Sequence, residues 1–332
     1  MVTPRKPSVG LLLPPVLITF VSFVLALIAL LAGTGPQQKS LEPYHIIAVN
    51  LSTFGHDLVA SSTSSGPKPS ATGDSSLFGH LLGGIHGIGQ DITNEINNVT
   101  NGAADKVTEK LGISEWYSLH IMTLCEGKFS PNASSPNAWY NLSNCTAQQP
   151  GVKLNLSSIL DHEVKAGPLG FNINQIPIPQ KVQSAIDTVN DALLALLVFY
   201  ALASGFAGLS FLASLVVVVL FRNKLNQLIV WANIAITGFG AFILLIGSAI
   251  VTYVNNKGVP EINDAGKDVG ISGIRGSKFI TLSWVTFGLM LFTTLYWTSA
   301  TLKFTQRFVV IEGMPRRDAE KALPYTNDPA LY

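Results

Sequence analysis

Charged residues make up only 12% of this 332-residue chain, about half the share found in ordinary soluble domains. Much of the surface must therefore face something other than water, in keeping with a mean hydropathy of +0.37. The net charge is +1, which leaves no basic surface for nucleic acid, and no nucleic-acid partner is expected. Cysteine is scarce: Cys125 and Cys145 are the only two. There are six histidines, five of them before residue 125, and they show no metal-ligand spacing. No His-Glu-x-x-His, Gly-x-Ser-x-Gly or P-loop pattern occurs, so neither an enzyme nor a cofactor or metal is expected. Gly238-Phe239-Gly240 lies inside an apolar run and is no phosphate loop.

What is present is apolar length. Four runs, 11–32, 192–221, 228–254 and 279–302, contain no Asp, Glu, Lys, Arg or His. A helix rises about 1.5 Å per residue, so about 20 apolar residues cross a hydrocarbon core roughly 30 Å thick. Each run meets that length. Buried helices of a soluble protein would be shorter and carry a polar face. The expected fold is an all-α membrane protein, a four-helix transmembrane bundle with a large extracellular loop domain. That domain should hold short strands, one disulfide and an amphipathic helix.

Basic residues set the orientation. Arg5 and Lys6 precede the first run, Arg222 and Lys224 fill the turn 222–227, and Lys303, Arg307, Arg316, Arg317 and Lys321 follow the fourth. The positive-inside rule puts 1–10, 222–227 and 303–332 in the cytosol. Segments 33–191 and 255–278 then lie outside. In 255–278, Lys257, Lys267 and Arg275 are offset by Glu261, Asp264 and Asp268. The small residues of 29–33 resemble a signal-peptide site. The first run exceeds the usual 7–15-residue signal core, however, and an uncleaved helix is expected.

The long outer segment carries six N-x-S/T sequons, at Asn50, Asn98, Asn132, Asn141, Asn144 and Asn155. Their confinement to one side agrees independently with the charge rule and points to N-glycosylation in the secretory pathway. The middle residue of the Asn144 sequon is Cys145, which weighs against that site. Residues 60–76 hold too few apolar groups to offset ordering entropy and read as a flexible stretch. From 81 to 111, Ile85, Ile88, Ile92, Ile96, Val99, Val107 and Leu111 recur at helical spacing. This helix either packs on the domain core or lies on the outer leaflet.

Both cysteines sit in an oxidising compartment, so Cys125 and Cys145 are expected to pair. A loop of that size contributes about 3 kcal/mol in the chain-entropy model. The aromatic-containing segments 116–124 and 139–142 read as strands that the bridge joins. After Pro177 and Pro179, the spacing of Val182, Ile186 and Val189 predicts a helix running into the second span.

Four spans, a long first outer loop with one cysteine pair and a short second loop resemble the claudin-like superfamily. More narrowly, SEWYSLHIMTLCEGKFSPN, with a second cysteine after NLSN, resembles the fungal SUR/PalI family. The residues carrying the resemblance are Trp116, Tyr117, His120, Cys125, Glu126, Gly127 and Cys145. The G-L-W-x-C-C form of animal claudins is missing, so paracellular sealing does not carry over. The resemblance implies a plasma-membrane protein, often of furrow-like microdomains called eisosomes. It also implies effects on cell wall, endocytosis and the response to membrane stress. A PalI-like branch assists ambient-pH sensing, with a shorter outer loop and a longer tail. The long loop and short tail here favour the microdomain branch.

A membrane organiser would assemble laterally. Ala201/Gly205 and Ser204/Gly208 are small-xxx-small pairs that allow close helix approach, within this chain or between copies. The expected partners are membrane lipids, the protein itself or other microdomain proteins, and a cytosolic cortical scaffold. Arg316, Arg317 and Lys321 are candidates for lipid or scaffold contact, each cation contributing about 1 kcal/mol near anionic lipid. Asn233 either bonds a neighbouring helix or sits near the headgroups beside Trp231. No span holds an ionisable residue, which disfavours a proton-coupled transporter. The alternative function is pH sensing, since His45, His56, His80, His86, His120 and His162 all face outward and ordinarily titrate near neutrality. Solvated loop histidines are the plainer expectation.

Overall fold

The computed structural model describes residues 9–34, 41–54, 113–133, 135, 138–155, 180–220, 227–267 and 270–312. The predicted helix over 81–111, the stretch 60–76, Asn98, His56, His80, His86, His162, Arg222, Lys224, Arg316, Arg317 and Lys321 lie outside them.

Four helices dominate: α1 (Val9–Leu31), α2 (Gln180–Leu220), α3 (Gln227–Gly266) and α4 (Ser277–Glu312). Each is long and apolar enough to cross a membrane. All exceed their apolar runs at one end or both. Helix α2 starts directly after the proline pair, and Val182, Ala185, Ile186, Val189, Leu193, Leu196 and Tyr200 are all buried along one stripe. Helix α3 departs most from expectation. Segment 255–278 is not simply a loop, because α3 continues to Gly266 through Gly258 and Pro260. Packing overrides the local stop signals there: Val259 and Ile262 are buried, and Asn263 Oδ1 accepts the Gly273 N–H at 2.6 Å. Helix α4 likewise runs ten residues past the predicted boundary at 302.

The chain divides into two compact units. One comprises 1–27, 202–245 and 284–332. Here Gly208 lets Phe23 of α1 approach α2, the glycine's missing Cβ standing 3.1 Å from the Phe23 ring. Phe20 and Phe211 reinforce that contact at 5.3 Å between ring centroids. Gly240 admits Met290 of α4 and Phe206 of α2. Asn233 is buried and donates from Nδ2 to Ser214 Oγ on α2 at 3.4 Å, which settles it as an interhelical residue. Val217, Val230 and Trp297 close the apolar cluster of this unit.

The other unit comprises 28–201 and 246–283. Its centre is an antiparallel five-stranded sheet in the order β4-β3-β2-β1-β5. The strands are β1 (Ile47–Asn50), β2 (Trp116–Leu119), β3 (Leu124–Ser130), β4 (Trp139–Cys145) and β5 (Ser272–Arg275). The predicted strand over 116–124 is thus two strands meeting at a turn, and the one over 139–142 extends to Cys145. Strand β5 comes from the second loop and pairs with β1, Ile47 opposite Arg275 and Asn50 opposite Ser272. The segment between α1 and α2 and the segment between α3 and α4 therefore build one sheet. In the same unit, Tyr200 of α2, Ser248 of α3 and Ser283 of α4 share hydrogen bonds through their hydroxyls. Such bonds are favoured where no water competes.

Candidate functional site

The residues of the sequence motif converge on the middle of the sheet. Trp116 is fully buried on β2 opposite Gly127 of β3. A Cβ at Gly127 would stand 2.5 Å from the Trp116 ring and would overlap the Asn141 carbonyl oxygen of β4. Glycine at 127 is thus what lets three strands close over the indole. Cys125 lies opposite Cys145 in the β3–β4 register, and the two form the predicted disulfide. Tyr117 OH accepts the Ser114 N–H at 3.3 Å. Glu126 Oε2 accepts the Ser114 hydroxyl at 3.4 Å. These contacts anchor the chain entering β2.

Sequence reading missed a polar cluster under this sheet. Glu42, in a 3-10 turn over Glu42–Tyr44, is only 2% exposed. Its Oε2 lies 3.2 Å from His120 Nε2, which also meets Ser118 Oγ at 3.4 Å. The Nδ1–H of His45 donates to the Glu42 carbonyl at 3.0 Å. Three aromatic rings pack around Tyr140: His45 at 5.6 Å, Trp116 at 5.1 Å and Phe129 at 5.5 Å. Gly33, at the end of α1 with φ +78°, brings its carbonyl to Thr123 Oγ1 at 3.0 Å. A side chain there would strike His120. The one available signal was a glycine just past an apolar run, a common helix stop.

Burial governs the electrostatics. His45 is held down to about 4, because its cation would lose hydration in the core. Tyr140 is pushed up to about 12 by burial, with the nearby Glu42 carboxylate adding to the effect. His45 and His120 are therefore not solvated loop histidines: both are buried. Expectation failed here because sequence does not reveal which loop residues a sheet will cover.

Glu42, His120 and Cys125 place one donor atom each within 4.8 Å of one another. The Cys125 sulfur is bonded to Cys145, so no thiolate is offered. Two donors remain, fewer than a structural metal site requires. The cluster fits a buried structural network better than a metal centre. Glu42 Oε1 and His120 Nδ1 have no hydrogen-bond partner among the described residues.

Of the sequon asparagines, Asn132, Asn141, Asn144 and Asn155 are exposed. Asn50 is half-buried on β1, and its Oδ1 accepts the Ser52 N–H at 2.8 Å. The helix-packing residues separate. Ser204 is buried and Gly208 meets Phe23, whereas Ala201 and Gly205 are exposed, with no atom of the described residues within 4 Å of the missing Gly205 Cβ.

No curated protein and no solved structure matches the chain. A family model does: that of the SUR7/PalI family, over residues 11–296.

Proposed function

The chain belongs to the SUR7/PalI family of membrane proteins, and from that premise we propose that it is a non-enzymatic organiser of plasma-membrane microdomains of the eisosome type. Both termini lie in the cytosol, and the sheet stands outside the cell. The observation that carries this reading is the pairing of β5 with β1. It turns two outer loops into one platform of fixed form, stapled by the disulfide. Such a platform on lipid-facing helices suits lateral assembly. The exposed Ala201/Gly205 face supplies one surface for close helix approach, and a tail bearing Arg316, Arg317 and Lys321 supplies attraction to anionic lipid or a cortical scaffold.

Live-cell imaging of a C-terminally tagged protein with photobleaching tests the proposal. Static cortical patches with slow recovery support it. Neutralising Arg316, Arg317 and Lys321 together should disperse the patches without blocking insertion. Diffuse, rapidly exchanging fluorescence overturns it.

A second reading, accessory to ambient-pH signalling, draws on the buried Glu42, His45 and His120 cluster. Burial of His45 moves any response of that residue to acid rather than neutral pH. Loss of an alkaline-pH transcriptional response on deletion, with cortical patches of other proteins intact, would favour this reading over the first.

A further inference from the structure

Strand β4 is an edge of the sheet, and its exposed face is unusual. Trp139 is 64% exposed, the most exposed aromatic among the described residues of the sheet. Two positions on, Asn141 is also exposed and opens the sequon Asn141-Leu142-Ser143. Side chains two apart on a strand point to the same face, about 7 Å apart along it. Tyr140 and Leu142 turn to the opposite face, where Tyr140 packs on Trp116 and Phe129. Trp139 is therefore left standing beside Asn141 with no ring partner among the described residues.

We propose that Asn141 carries an N-linked glycan whose first sugar ring lies on the Trp139 indole. The indole face is electron-rich, and the axial C–H bonds of a pyranose present the complementary positive surface. Stacking covers apolar area that is otherwise in water. Of the two sequons on this strand, only that of Asn141 has a hydroxyl, that of Ser143, with no side-chain bond among the described residues. For Asn144, Cys145 is bonded to Cys125 and the Thr146 hydroxyl accepts the Leu124 N–H at 3.1 Å.

The chemistry is group transfer from a lipid-pyrophosphate-linked oligosaccharide. The Asn141 amide nitrogen bonds to the anomeric carbon. The bond from that carbon to the pyrophosphate oxygen breaks, lipid pyrophosphate leaves with the electron pair, and the nitrogen gives up one proton.

The test uses the full chain from a eukaryotic secretory host. Asn141→Gln and Ser143→Ala should each remove one endoglycosidase-sensitive step in gel mobility. Unchanged mobility in both overturns the proposal. Stacking is tested by melting temperature before and after enzymatic deglycosylation. Wild type should lose stability on deglycosylation, and Trp139→Ala, which keeps the sequon, should lose little or none. The same loss in both proteins overturns the stacking. Trp139 is exposed, so the variant's own folding is checked directly by its melting in the glycosylated form.

Discussion

Acidification should weaken the five-stranded sheet through one residue, His45. Its Nδ1–H is used by the Glu42 carbonyl, and its ring is enclosed by Tyr140 and His120. In the unfolded chain a histidine titrates near 6.5, whereas in the folded protein His45 titrates at about 4. Between those values the unfolded chain binds a proton that the folded one refuses, so stability rises with pH across that window. Above 6.5 no penalty applies, and below about 4 it saturates. Each pKa unit corresponds to about 1.4 kcal/mol, so the full penalty is about 3 kcal/mol, and at pH 5 it is about 2 kcal/mol. The control is His45→Asn, whose amide can still donate to the Glu42 carbonyl but cannot titrate. Melting of the detergent-solubilised protein, followed by tryptophan fluorescence from pH 7.5 to 4, should show wild type falling more steeply than the variant. The gap should grow to roughly 5–10 °C at the acid end. The charged and titratable groups that face His45, namely Glu42, His120 and Lys278, are the same residues in both proteins. Parallel curves for the two proteins would refute the reasoning.

Gly127→Ala should cost at least about 1–3 kcal/mol, because the new methyl meets the backbone of Asn141 and the Trp116 ring. A melting temperature equal to wild type would show that the strands yield. Replacing Cys125 and Cys145 together by alanine should remove about 3 kcal/mol and speed hydrogen exchange in β4 before β2; uniform exchange would contradict that order. Tyr200→Phe leaves the Ser248 and Ser283 hydroxyls without their tyrosine partner and should cost about 0.5–2 kcal/mol by thermal melting. Gly205→Leu should leave stability unchanged, since nothing lies near that Cβ, yet lower the self-association measured by crosslinking in membranes. Lost stability there would place Gly205 in internal packing instead.

The spans were legible because the absence of every ionisable residue across 22 or more positions has no other ready meaning. The motif was legible as chemistry, with two cysteines in one long segment between spans and aromatic strand formers before each. Its geometric reason was not: Gly127 matters through a contact between three strands that sequence order does not reveal. The Ser272–Arg275 segment, SGIR, has a single strong strand former. It is a strand because β1 offers it hydrogen bonds. Gly258 and Pro260 spoke for a helix end, and the burial of Val259 and Ile262 outweighed them. Glu42 and His45 looked like ordinary loop residues, since only the folded sheet decides which polar groups it encloses.

The register of β5 on β1 also orders events during synthesis. Ile47 leaves the ribosome long before its partner Arg275, and two membrane helices, α2 and α3, must be made between them. Until α3 has crossed in the right direction, β5 is on the wrong side of the bilayer and β1 keeps an open edge. The sheet can close only over correctly threaded helices. Completion of the sheet therefore depends on α2 and α3 together returning the chain to the side of the membrane on which β1 already stands.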